Sequence, residues 1–148
     1  MAKTTDSKTV VLIDDEMHNM NWMVDYLSSR GFNTINVSNA NEAVQVLDQE
    51  IYRAIIVDLN IPILDPLINI ALEKGDVYGR YPGLYVAFYA RNKGYRDRQV
   101  IIYSVHRDPA VSAEATRLGC TYIIKGRPKE IKHELDAVVK YDPTVLAQ

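Results

Sequence analysis

A single cysteine, Cys120, stands in the chain, so no internal disulfide can form and the protein fits a reducing compartment. Excess charge is equally scarce. A formal net charge of −2 makes no electrostatic case for nucleic acid as a partner. No apolar run approaches the roughly 18 residues of a membrane span, and the opening MAKTTDSK lacks the apolar stretch of a secretory signal. A cytoplasmic location without membrane contact is therefore expected. Repeats and low-complexity segments are also missing. No G-x-G-x-x-G follows the first apolar run, which argues against a dinucleotide-binding protein. His18 and His133 have no second ligand at useful spacing and are assigned no site, and a lone His106 reads as incidental.

What the chain does contain is an alternation of two periods. At 148 residues it is one domain, long enough to bury about 68 to 70% of its unfolded surface. Ala54, Ile55, Ile56 and Val57 form an apolar, largely β-branched run of the kind that makes a strand buried on both faces of a parallel sheet. Thr9 to Ile13 and Gln99 to Tyr103 read the same way, as does the shorter Thr121 to Ile124, and Asn33 to Val37 is a further short strand. Between the strands, apolar residues recur at helical spacing. Met20, Met23, Val24 and Leu27 precede a stop at Gly31, and Ala43, Val44 and Leu47 follow a cap at Asn39 or Asn41. Pro82 opens a helix closed by Gly94, Asp108-Pro109 opens one that Gly119 ends, and Pro128 opens a last one with Ile131, Leu135, Val138 and Val139 inward. Five βα units predict an α/β domain with a doubly wound parallel sheet.

The strands share a feature at their carboxyl ends. The first ends in Asp14-Asp15-Glu16, and the third in Asp58, which Asn60 and Pro62 follow. In open α/β sheets that edge faces a crevice where ligands bind. Acids there either cap the following helices or, if the two strands are neighbours, gather at one point. Two carboxylates about 4 Å apart at an effective dielectric near 20 repel by roughly 4 kcal/mol. Such a cluster raises a pKa or recruits a cation, and oxygen ligands without nitrogen or sulfur point to Mg²⁺. Two strand ends terminating alike favour the cation site over simple capping.

Together, Asp14-Asp15 after strand one, Asp58 with Asn60 and Pro62 after strand three, Ser104 after strand four and Lys125 after strand five resemble the signature of response-regulator receiver domains, the CheY-like family. The resemblance covers nearly the whole chain. It implies a flavodoxin-like five-stranded sheet in the order 2-1-3-4-5. It also implies that Asp58 is the phosphoacceptor, a carboxylate nucleophile taking a phosphoryl group from a phosphohistidine. By the same resemblance Asp15, Asp58 and the backbone carbonyl of Asn60 hold Mg²⁺, with Asp14 acting directly or through water. Lys125 pairs with Asp58 and then with the phosphoryl oxygens, so that three carboxylates balance a divalent cation and one ammonium. Ser104 is the hydroxyl that bonds the phosphoryl group, and Tyr122 the aromatic that turns inward on activation. The implied partners are a sensor histidine kinase or histidine phosphotransfer protein and a downstream protein target.

Departures from the family pattern fall close to the site. Gly126 follows Lys125 where the family has proline, Pro66 replaces the usual glycine after Asp65, and Val105 replaces Ala or Gly. A β-branched side chain at 105 is expected to obstruct in-line approach to the phosphoryl position. The alternatives are a degenerate receiver that signals without phosphorylation and a Mg²⁺-dependent phosphatase with an aspartyl nucleophile. Neither strand end carries the Asp-x-Asp of the latter.

The expected layout is a polar tail at 1–7, a receiver domain at 8–141 with an irregular insertion at 63–81, and a tail at 142–148. No output domain is expected after it. Within the insertion a helical turn at 66–74 is expected. Tyr81, Tyr85 and Tyr89 would form a stripe on one helix face, which either packs into the core or remains exposed to dock a partner or a second copy as a homodimer.

Overall fold

A computed structural model describes residues 3–144. Five strands run parallel: β1 (Asp6–Ile13), β2 (Asn33–Val37), β3 (Tyr52–Val57), β4 (Val100–Ser104) and β5 (Thr121–Ile124), ordered β2-β1-β3-β4-β5. The expected flavodoxin-like order is thus the observed one. Helices α1 (Asn21–Ser29), α2 (Ala40–Gln49), α3 (Leu67–Lys74), α4 (Asp76–Arg80), α5 (Pro82–Lys93), α6 (Pro109–Leu118) and α7 (Pro128–Lys140) make the crossovers. Among the described residues no helix is long and apolar enough to cross a membrane.

The continuous apolar runs explain the architecture. Successive side chains of a strand point to opposite faces, so Val11 and Ile13 pack with Ile55, Val57, Leu84 and Val111 on one side of the sheet. Val10 and Leu12 pack with Ile56, Met23, Leu27, Ile131 and Leu135 on the other. Each fully buried Leu, Ile or Val contributes about 1.5–3 kcal/mol, which makes a register slip in β1 or β3 costly. Strand ends are thereby held in a defined place.

Residues 63–81, expected to be irregular, are more ordered than that. They fold into α3 and α4, broken at Gly75, whose φ of 145° favours glycine. These two helices lie over α5 and explain the tyrosines. Tyr78 and Tyr85 are buried, Tyr81 and Tyr89 are half-buried, and the Tyr78 and Tyr85 rings sit 6.0 and 6.1 Å from Phe88. Tyr89 donates to Asp48 of α2. Of the two arrangements expected for the stripe, packing into the fold is the one observed: Tyr85 is buried and Tyr81 and Tyr89 are half-buried, with α3 and α4 on one side of α5 and the sheet on the other.

The segments read as tails meet at the opposite edge of the sheet. β1 already begins at Asp6, Thr4 N–H donates to Thr144 Oγ1 at 2.9 Å, and Thr4 Oγ1 donates to Asp142 at 3.0 Å. Residues 1–2 and 145–148 lie outside the described residues.

Buried phenols make stability depend on alkaline pH. Burial pushes Tyr78 up to about 12 and raises Tyr95, which accepts the Tyr52 N–H at 2.8 Å. A folded pKa above the unfolded value of about 10 stabilises fully below that pH and loses the contribution as pH rises through the folded value. The urea midpoint should therefore fall between about pH 10 and about pH 12, and Tyr95→Phe should flatten the fall. A midpoint flat over that window would contradict the burial of these hydroxyls.

Candidate functional site

Register brings the acids together. Ile13 lies beside Val57 in the sheet, and the Asp58 N–H donates to the Ile13 carbonyl at 2.9 Å. The residues that follow, Asp14 and Asp58, therefore emerge side by side from neighbouring strand ends. Each of Asp14, Asp15 and Asp58 offers an oxygen within 4.8 Å of the others. Ile124 pairs with Ser104, and the Lys125 N–H donates to the Ser104 carbonyl at 2.8 Å. That bond directs the lysine toward the acids.

Lys125 is shared between two carboxylates. Its Nζ donates to Asp14 Oδ2 at 2.7 Å and to Asp58 Oδ2 at 3.4 Å. The shorter bond goes to Asp14, whereas the sequence pattern points to Asp58 as its partner. Asp14 is 1% exposed, and its other oxygen accepts the Glu16 N–H at 2.8 Å. Both Asp14 oxygens are thus engaged. Asp58 differs: its Oδ1 is buried and has no hydrogen-bond partner among the described residues. Burial works against the Lys125 ammonium, but the Asp14 hydrogen bond and the Asp58 and Asp14 charges outweigh it and raise its pKa. The Asp15 pKa is raised from its ordinary value, first by partial desolvation and then by the Asp14, Asp58 and Glu16 charges, against a lowering from its own backbone N–H.

A buried carboxylate oxygen left without a donor costs about 1–3 kcal/mol or more. Beside two further acids, that unpartnered oxygen fits a hard cation with oxygen ligands. Asp15 and Asp58 Oδ1 are the oxygens free to take it directly. Asn60 is exposed two residues beyond Asp58.

Gly126 does not displace the lysine. It has a φ of 95°, and the ammonium also lies 5.7 Å from the Tyr103 ring centroid. Ser104 is fully buried, and its Oγ accepts the His106 N–H at 3.3 Å. Tyr122 stands apart from the acids, half-buried, with its hydroxyl donating to the His106 carbonyl. It lines a cavity of about 570 Å³ with Arg107, Asp108, Ser112 and Arg127, and none of the three aspartates borders that cavity. Val105 is 66% exposed.

Gly83 is a residue the sequence reading passed over. Its N–H donates to the Leu59 carbonyl at 3.0 Å, and a Cβ there would lie 1.9 Å from the Asp58 carbonyl oxygen. The first turn of α5 thus presses on the backbone that carries Asp58. A glycine inside the first turn of an otherwise strong helical pattern costs about 1 kcal/mol and was the available signal.

No protein-family model matches the chain, and no curated protein matches it by sequence. Solved structures do. A two-component response regulator from Clostridium difficile is 15% identical, with 90% of this chain and 97% of that one covered and a TM-score of 0.67. A CheY-like receiver domain protein from Methanospirillum hungatei is 15% identical over 91% of this chain and 98% of that one, with a TM-score of 0.64. The response regulator TrrA from Thermotoga maritima, in complex with Mg²⁺ and BeF, is 18% identical over 88% and 98%, also at 0.64. At these identities the likeness establishes the fold, which is that of receiver domains.

Proposed function

We propose that the chain is a phosphoacceptor receiver of a two-component or phosphorelay system, taking a phosphoryl group from a phosphohistidine onto Asp58 and signalling by protein contact. The observation that carries this reading is the buried, unpartnered Asp58 Oδ1 beside Asp14, Asp15 and Lys125. Mg²⁺ held by Asp15 and Asp58, with the Asn60 carbonyl and with Asp14 through water, would supply positive charge against the phosphoryl oxygens. An Asp58 oxygen attacks phosphorus, the new O–P bond forms as the N–P bond of the donor breaks, and the imidazole leaves with the electron pair and takes up a proton. Lys125, already 3.4 Å from Asp58, pairs with the transferred group. The Ser104 hydroxyl donates to one of its oxygens, and Tyr122 reports the change to the surface around Arg107 and Arg127.

In this role the protein is a signalling domain whose chemistry is confined to its own phosphorylation and dephosphorylation. It works in the cytoplasm with a sensor kinase or phosphotransfer protein on one side and a protein target on the other. The test is incubation with Mg²⁺ and acetyl phosphate, read by intact mass. A gain of one phosphoryl group that disappears without Mg²⁺ supports the reading. No gain in a folded protein would leave the degenerate receiver, and steady hydrolysis of phosphate esters would favour the aspartyl phosphatase.

A further inference from the structure

The inserted segment ends against the loop 105–108, which leads from β4 to α6. The Tyr81 ring packs on the His106 ring with centroids 5.6 Å apart and planes at 54°. Arg80 reaches Asp108 at 3.6 Å, and Asp108 caps α6 by accepting the Ala110 N–H at 2.8 Å. One turn earlier, the Tyr78 hydroxyl donates to Glu114 at 2.5 Å and accepts from Arg117 at 3.2 Å, so the insertion is anchored to α6 as well. On the far side, Tyr122 donates to the His106 carbonyl. The His106 N–H donates to Ser104 Oγ.

His106 is therefore held at three points: ring, carbonyl and amide. With its oxygen occupied by that amide, the Ser104 hydroxyl keeps its own proton available to an acceptor. We propose that Tyr81 is a positioning residue of the insertion: through His106 it holds loop 105–108, and so sets the Ser104 hydroxyl for the phosphoryl group. This rests on Asp58 as the phosphoacceptor, but the clamp itself is visible without phosphorylation. A short loop tied down by side chains opens locally when one of them is lost.

Amide hydrogen exchange on the unphosphorylated protein, with acetyl phosphate labelling in parallel, tests this in Tyr81→Ala and Tyr81→Phe. In Tyr81→Ala, exchange at residues 105–110, the His106 amide included, should rise about tenfold. Labelling should slow by about tenfold, as misplaced groups do. Tyr81→Phe keeps the ring and should stay within about twofold of the parent on both readouts. Unchanged exchange in Tyr81→Ala overturns the proposal. So does faster exchange with an unchanged labelling rate, or a phenylalanine variant as impaired as the alanine one. If the parent protein is not labelled at all, the phosphoacceptor reading falls while the exchange result still decides the clamp.

Discussion

Asp58→Asn is expected to abolish labelling by acetyl phosphate while the fold persists. The amide keeps the size of the side chain but lacks the anionic oxygen that attacks phosphorus. It also removes one of three carboxylates crowded within 4.8 Å, so like-charge repulsion falls. Lys125 keeps its shorter bond to Asp14 at 2.7 Å, and no buried ammonium is orphaned. The thermal midpoint should therefore hold or rise as labelling vanishes, the pattern of a group retained for function at the expense of stability. Circular dichroism melts and intact mass on the same sample check both halves. Labelling at the parent rate would show that another residue accepts the phosphoryl group. A collapsed melt would show that the carboxylate is structural.

Gly83→Ala should be among the most damaging small substitutions in the chain. In an ordinary helical position the change favours folding by about 0.5–1 kcal/mol. Here the new Cβ would lie 1.9 Å from the Asp58 carbonyl oxygen and 2.8 Å from the Leu59 Cα. Those are backbone atoms of a segment fixed to the sheet, so no side chain can swing aside. Relief requires α5 to lift or the Asp58 turn to shift, and overpacking of this kind costs about 1–3 kcal/mol, with backbone clashes at the upper end. Urea unfolding should show a loss of about 3 kcal/mol, and whatever folded protein remains should label slowly because Asp58 has moved. A variant as stable and as readily labelled as the parent would mean that α5 does not press on the Asp58 turn.

The amino-acid sequence by itself determined the alternation of strands and helices and the acids at the strand ends. Both signals are local. Val10 to Ile13 and Ala54 to Val57 are apolar without interruption because a central parallel strand is buried on both faces. The caps at Asn39 and Asp108 lie within three residues of the N–H groups they accept from. From those elements the carboxyl-edge placement of Asp14, Asp15, Asp58, Ser104 and Lys125 follows, since a polar residue ending a buried strand must emerge at its end.

Tertiary structure alone decided how these residues divide their contacts. Lys125 favours Asp14 over Asp58 because Asp14 is the more deeply enclosed and has one oxygen left for it. Tyr85 is buried and Tyr89 half-buried because α3 and α4 return across α5, and the Thr4–Thr144 contact joins the two ends of the described chain. Gly83 matters through a backbone 25 residues earlier, at Asp58. Such contacts depend on where distant segments are brought by the sheet, and the order of residues along the chain carries no distance between them.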